Sequence, residues 1–359
     1  MSSRNRRNTL AALLFAASFA SLTSWSNGND SVGGRHQVGA EPNDQSLGSA
    51  FVTCTGRSYS PPPAQGFQHT RSALVVTVSH PQHSAQDVIA LPASSTVVPG
   101  KFAYGRFSKD LEDENIELFI DDCAGWRSLG TARTDGDGRT SIPLDLASEQ
   151  LGVGLYELRQ VVRGDASVVT SWLRVVPAGT HLVVFDIDGT LTTSDAEIVQ
   201  DAIDEFFLPI YNHQYVPEAF ASGVELTQLY ADKGYVNIYL TGRPYWLTGI
   251  TRGWLEQLGY AVGNVHLTDS NAEALPSEAG VGTFKAEYLK TLTGLGYVID
   301  YAYGNAATDV YAYAVAGIPA SKTWLIGSVG GQGGTNAVVD DWTAHLVEAA
   351  AHPDANQPF

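Results

Sequence analysis

Cationic residues are scarce in this chain: 21 Lys and Arg stand against 38 Asp and Glu, a formal net charge of −17 at pH 7. The deficit is concentrated. Residues 181–359 carry 21 acidic and 6 basic side chains, a balance of −15 that leaves −2 for the rest. Nucleic acid is a poor partner for that half, because phosphate backbones are held by clustered Lys and Arg. The same acidity works against adsorption to an anionic membrane by charge alone. Charged residues of both signs make up only 16% of the chain and hydrophobic ones 44%, so extended disorder is confined to parts of it and one or two cores can be buried. Cysteine is nearly missing, with only Cys54 and Cys123. A long hydrophobic run is also lacking. The apolar stretch 10–22 is too short to span a bilayer comfortably, and with Arg4, Arg6 and Arg7 before it it reads as an export signal over residues 1–25. The alternative is a basic tail followed by a buried helix. No Cys follows that run, which argues against a lipid-anchored N-terminus. Export, to the periplasm or beyond, makes a Cys54–Cys123 disulfide the expectation, with separate buried thiols as the alternative.

The remaining chain divides by rhythm. Residues 26–64, rich in Gly, Asn, Ser, Gln and Pro, read as a flexible linker. Residues 65–178 hold short β-rich runs at 74–78, 116–120, 156–162 and 168–176, which suggest a small antiparallel, immunoglobulin-like β-sandwich. The segment 134–139, Thr-Asp-Gly-Asp-Gly-Arg, suits a hairpin or a turn between strands. It lacks the further oxygen ligands and closing Glu of an EF-hand. From residue 179 to 350 apolar strands at 182–185, 235–240, 262–267, 298–302 and 323–326 alternate with helical stretches at 195–207, 218–233, 245–258, 284–295 and 309–316. This predicts an α/β domain with a mostly parallel sheet covered on both faces. Residues 351–359 read as a tail.

Chemistry-bearing residues gather where these strands should end. Asp186 and Asp188 follow a continuous apolar run, and i, i+2 carboxylates project to the same side of an extended chain. One could attack while the other handles protons, with Mg²⁺ offsetting their repulsion. Gly189 allows a sharp turn and leaves room for phosphate near backbone N–H groups. Thr241 and Gly242 end the second apolar strand just before a helix, a place for an anion. Lys285 stands near a helix start, where the dipole disfavours a cation. Asn305 and Asp309 follow a further strand, as metal ligands or as caps of the next helix.

The order Asp186-Ile187-Asp188-Gly189-Thr190, Thr241, Lys285, then Asn305 and Asp309 resembles the four motifs of the haloacid dehalogenase (HAD) superfamily. Thr241-Gly242-Arg243-Pro244, Phe284-Lys285 and Gly304-Asn305 through Asp309 make it similar, more narrowly, to the lipin-type branch. That branch includes phosphatidate phosphatases and the C-terminal domain of membrane-associated phosphatidylinositol transfer proteins. The resemblance implies a HAD-like Rossmannoid sheet and a Mg²⁺-dependent phosphatase. Asp186 would be the nucleophile, forming an aspartyl-phosphate, and Asp188 the acid and base. Gly189, Thr190, Thr241, Gly242 and Lys285 would hold the phosphate, and Asp186, Asp188, Asn305 and Asp309 the Mg²⁺. The implied partner is a phosphorylated small molecule or a lipid phosphate such as phosphatidate, reached by transient membrane contact. The alternative within the same branch is a lipid-sensing domain that binds phosphatidate or a phosphoinositide without turnover. Lipins tend to carry a basic residue where this chain has Thr193.

Overall fold

The computed structural model describes residues 51–77, 79–105, 109–193, 218–269 and 277–359. The expected export signal, most of the expected linker and the helix expected at 195–207 lie outside these residues.

The first part is a β-sandwich. It contains β1 (Val52–Cys54), α1 (Thr70–Thr77), β2 (Ser84–Ala85), β3 (Val88–Ala90), β4 (Ser95–Lys101), β5 (Ala103–Tyr104), β6 (Lys109–Asp110), β7 (Asn115–Asp121), β8 (Trp126–Arg133), β9 (Arg139–Asp145), β10 (Gly154–Val162) and β11 (Val168–Val175). One sheet runs β3-β11-β10-β7-β8 with β1 added to β10, and the facing sheet runs β2-β4-β9. Period-two patterning makes the strands: Ile116, Leu118 and Ile120 of β7 point inward, as do Ile142 and Leu144 of β9, and Leu118, Ile120, Val98, Ile142, Leu144 and Leu158 share one core. The sandwich is not purely antiparallel, because β1–β10 and β3–β11 are parallel pairs. Strand β1 falls within the stretch expected to be a linker. It is fixed to the sheet by that pairing and by a Cys54–Cys123 disulfide.

The run 74–78, expected as a strand, belongs through residue 77 to helix α1. Its β-branched residues favour a strand locally, but tertiary contacts override that preference. Both carboxylate oxygens of buried Glu114 accept from the N–H groups of Gln68 and His69 at the start of this helix, at 2.8 and 3.0 Å. A negative charge there suits the helix dipole, and Val75 and Val76 pack on the cluster around Phe102 and Tyr104. The Asp-Gly segment does form a turn, with Asp135 Oδ1 accepting from the N–H groups of Asp137 and Arg139 at 2.9 and 2.8 Å. The turn links strands of different sheets, β8 and β9, and is not a hairpin.

The second part is an α/β domain built from β12 (His181–Phe185), α2 (Gly223–Asp232), β13 (Val236–Pro244), α3 (Thr248–Leu258), β14 (Gly263–Thr268), α4 (Thr283–Gly294), β15 (Val298–Gly304), α5 (Ala307–Val315), β16 (Thr323–Ile326), β17 (Asn336–Val338) and α6 (Thr343–Ala350). Its sheet, in the order β14-β13-β12-β15-β16-β17, is parallel throughout. Alternation along β12 sends Val183 and Phe185 into a core shared with Leu226, Tyr230, Trp254 and Leu255 of α2 and α3. Leu182 and Val184 go into a second core with Phe284, Leu289, Leu292 and Tyr313 of α4 and α5. Among the described residues no helix is long and apolar enough to cross a membrane.

Polar side chains of the sandwich close the outer edge of β14. Gln86 Oε1 accepts from Leu267 N at 3.2 Å while its Nε2 donates to Leu267 O at 2.7 Å, and Asp87 Oδ2 accepts from Val265 N at 2.8 Å. An open strand edge is thereby paired within the chain. Arg174 donates to Asn264 at 2.6 Å, and Asn264 donates to Val88 O at 3.3 Å. The residues expected as a tail also pack: Ala355 N donates to Lys233 O at 2.7 Å, and Gln357 exchanges hydrogen bonds with the backbone of His181.

Candidate functional site

Strands β12, β13 and β15 are adjacent at the centre of the sheet, so their carboxyl ends bring the residues singled out above into one place, as open parallel sheets do. After β12 the chain turns at Gly189, whose φ of 72° lies in the left-handed region that a side chain resists. Trp342 Nε1 holds this turn by donating to Thr190 O at 2.7 Å, and Tyr260 Oη donates to Leu191 O at 3.0 Å. The Gly189 N–H, expected near a phosphate, is engaged by Thr192 Oγ1 at 3.1 Å.

Two ion-paired groups result. In the first, Lys285 Nζ lies between two carboxylates, 2.6 Å from Asp186 Oδ1 and 2.7 Å from Asp309 Oδ1. Thr190 Oγ1 is 2.9 Å from Asp186 Oδ2 and 3.3 Å from Asn305 Oδ1. Asp309 Oδ2 accepts from the N–H groups of Asn305 and Ala306, both at 3.0 Å, so Asp309 also serves the start of α5. Burial, with the charges of Asp309 and Asp188 adding to it, pushes the Asp186 carboxyl up to about 7 against the pull of Lys285. Burial disfavours the Lys285 charge, but Asp186 and Asp309 outweigh it and hold the ammonium above the ordinary lysine value.

In the second group Asp188 meets Arg243. Arg243 Nε is 3.0 and 3.1 Å from the two Asp188 oxygens and Nη2 is 2.8 Å from Oδ1, a two-pronged pair. Thr241 Oγ1 donates to Asp188 Oδ2 at 2.8 Å and accepts from Arg243 N at 3.1 Å. Thr251 Oγ1 accepts from Arg243 Nη1 at 3.0 Å, and Trp254 lies under the guanidinium with its ring centroid 6.0 Å away. Gly242 is needed for space, since a Cβ there would come within 2.8 Å of the Val281 side chain. Arg243 is the charged residue of this group to which the motif reading gave no role. Its signal was available: it is one of only 6 basic residues in this acidic half, placed immediately after a buried strand.

All six oxygens of Asp186, Asp188 and Asp309 already accept hydrogen bonds within these groups. Among the described residues no three His, Cys, Asp or Glu side chains are arranged to hold a metal ion. Within the expected Mg²⁺ set of Asp186, Asp188, Asn305 and Asp309, Lys285 bridges the carboxylates of Asp186 and Asp309, and Arg243 pairs with the side chain of Asp188 and not with its backbone carbonyl.

Residues 183–327 match the family model described as PITM 1-3, LNS2 domain. Residues 81–175 match that of the PITM 1-3 beta-sandwich domain. Both domains of this chain match domains of one family, PITM 1-3. Human membrane-associated phosphatidylinositol transfer protein 1 is 29% identical over 310 residues, covering 83% of this chain and 23% of the relative. The human transfer protein 3 is 30% identical over 250 residues, covering 68% and 23%. Drosophila melanogaster protein retinal degeneration B is 32% identical over 276 residues, covering 74% and 20%. The chain spans about a fifth to a quarter of these relatives' length.

These matches overturn two expectations. The phosphatase reading fails because two of these relatives are named as phosphatidylinositol transfer proteins and none as a phosphatase. In the same geometry Asp188, expected as acid and base, is paired with Arg243 and accepts from Thr241. Export to the periplasm or beyond is overturned by the same transfer-protein relatives, which are named membrane-associated.

Proposed function

We propose that the α/β domain is a non-catalytic receptor for the phosphate-bearing headgroup of an anionic lipid, phosphatidate or a phosphoinositide, on a HAD-like lipin-type scaffold. The observation that carries this reading is the Arg243–Asp188 pair at the carboxyl end of β13. A guanidinium fork with a neighbouring threonine hydroxyl matches phosphate oxygens as well as it matches a carboxylate. Asp188 then acts as an internal stand-in for the ligand, holding Arg243 in its binding geometry until a headgroup competes for it. Lys285 and Thr190, both bonded to Asp186, and Thr241, bonded to Asp188, would supply the anion's further donors. The names of the relatives, which refer to phosphatidylinositol and to membranes, support a lipid as the source of the phosphate.

The test is flotation of the full chain with phosphatidylcholine vesicles containing phosphatidate, phosphatidylinositol or neither. Binding to the anionic vesicles, lost in Arg243→Gln and unchanged by EDTA, is the expected result. Equal binding to all three vesicles, or full binding by Arg243→Gln, would overturn the proposal.

A further inference from the structure

A cleft of about 350 Å³ opens where the sandwich meets the α/β domain, on the side of β14 away from the sheet's centre. Val88, Val97 and Pro99 line it from the sandwich, and Tyr288, Leu292 and Leu295 from α4 and the residue following it. Its size falls in the range of small-molecule sites, roughly 300–1,000 Å³.

Its charged lining residues differ in what they have left to offer. Asp87 is committed to Arg252 and to two backbone N–H groups. Lys101 donates to Asp110 at 2.5 Å and to the Asp137 carbonyl. Asp269 accepts from Gln86 at 3.3 Å. Arg139 stands apart. Its guanidinium lies over the Tyr245 ring, 5.1 Å from the centroid, donates to the Asp269 carbonyl and, where burial raises the Asp269 carboxyl, pulls it down, but forms no direct ion pair with a described residue. A guanidinium carries five N–H donors, so stacking fixes this one in place while most of its donors remain for a ligand. His266 and Tyr288, which line the wall opposite the sandwich, stack on each other at 3.7 Å with 10° between planes. Burial lowers the His266 imidazole to about 3 and keeps it neutral, so that wall adds no charge.

We infer that this cleft binds a small amphipathic carboxylate, its anionic end on Arg139 and its apolar body against Val88, Leu292 and Leu295. Hydrophobic walls with one well-placed charge are the usual makeup of such a site: the walls give affinity and the charge fixes orientation. The site uses residues of both domains and none of those assigned to the headgroup, so it stands or falls independently of that reading.

The experiment is calorimetric titration of the full chain with octanoate and, separately, with 1-octanol, which has the same tail and no charge. Octanoate is expected to bind at one saturable site about tenfold more tightly than 1-octanol, the scale of one charge-assisted contact. Arg139→Gln is expected to remove that preference and leave 1-octanol unchanged, while Leu292→Trp, which fills the cleft, abolishes both. Equal affinity of the unmodified chain for the two compounds, or no saturable octanoate binding, overturns the inference whatever the variants do.

Discussion

Replacing Asp87 by alanine is expected to cost more stability than any other single truncation of a polar side chain at the junction of the two domains. The residue is 5% exposed and its carboxylate receives Arg252 Nη2 at 2.6 Å, Trp172 N at 2.8 Å and Val265 N at 2.8 Å. Truncation leaves two buried N–H groups without an acceptor, at about 1–3 kcal/mol each. It also orphans the buried Arg252 charge, a loss of about 3–5 kcal/mol for a broken buried pair. These costs overlap, because one relaxation or one entering water relieves several of them, so the net expectation is about 3–5 kcal/mol and not the sum. Asp87→Asn keeps an acceptor and is expected to lose roughly half of that. Urea unfolding followed by tryptophan fluorescence measures both, and Trp172, with Arg252 stacked 4.5 Å from its ring centroid, reports from the junction itself. A loss below about 1 kcal/mol for Asp87→Ala would refute the view that the sandwich closes the edge of β14 through this carboxylate.

Three further outcomes are expected. Burial lowers the His83 imidazole from 6.5 to about 4, so the unfolded chain takes up a proton in that window and the native one does not. The His83 contribution to stability is therefore complete above pH 6.5 and is lost at up to about 1.4 kcal/mol per pH unit as pH drops toward 4, so in pH-dependent denaturation the difference between the unmodified chain and His83→Gln should change with that slope. The disulfide joins positions 69 apart in sequence, and Cys54→Ala with Cys123→Ala should cost about 4 kcal/mol by loop entropy; an unchanged urea midpoint would contradict this. In Gly304→Ala the new Cβ would come 2.7 Å from Asp309 Cβ and 2.8 Å from its Oδ2. The clash should cost about 1–3 kcal/mol and weaken vesicle binding by displacing Asp309 from Lys285; a variant as stable and as active in flotation as its parent would show otherwise.

The α/β order was legible because each element carries its own period. The apolar run of β12 and the turn at Gly189 are local facts, and they led directly to the place where Asp186, Lys285 and Asp309 meet. Helix α1 was misread as a strand for a physical reason: the residue that favours its N-terminus, Glu114, is 46 positions from Gln68, and no window of sequence contains both. Arg243 was in plain view in its motif, but its partner Asp188 is 55 positions away. The resemblance had given Asp188 a catalytic task, and nothing within its own motif points to the pair with Arg243. Nothing in the local sequence marks Gln86 and Asp87. Their work of pairing the edge of β14 across more than 170 positions is a tertiary fact, as is the cleft beside them.

If Asp188 holds Arg243 for an anion, the affinity of Asp188→Asn for phosphatidate-containing vesicles, beside that of the unmodified chain, tests it directly. Removing a competing charge next to the bound phosphate, at an effective dielectric near 20 and with partial solvent screening, is worth about 1–2 kcal/mol. Binding is therefore expected to be about tenfold tighter in the variant, with Arg243→Gln abolishing it in either background. Weaker binding by Asp188→Asn would contradict it, since that result makes Asp188 a part of the ligand's own site and not its stand-in.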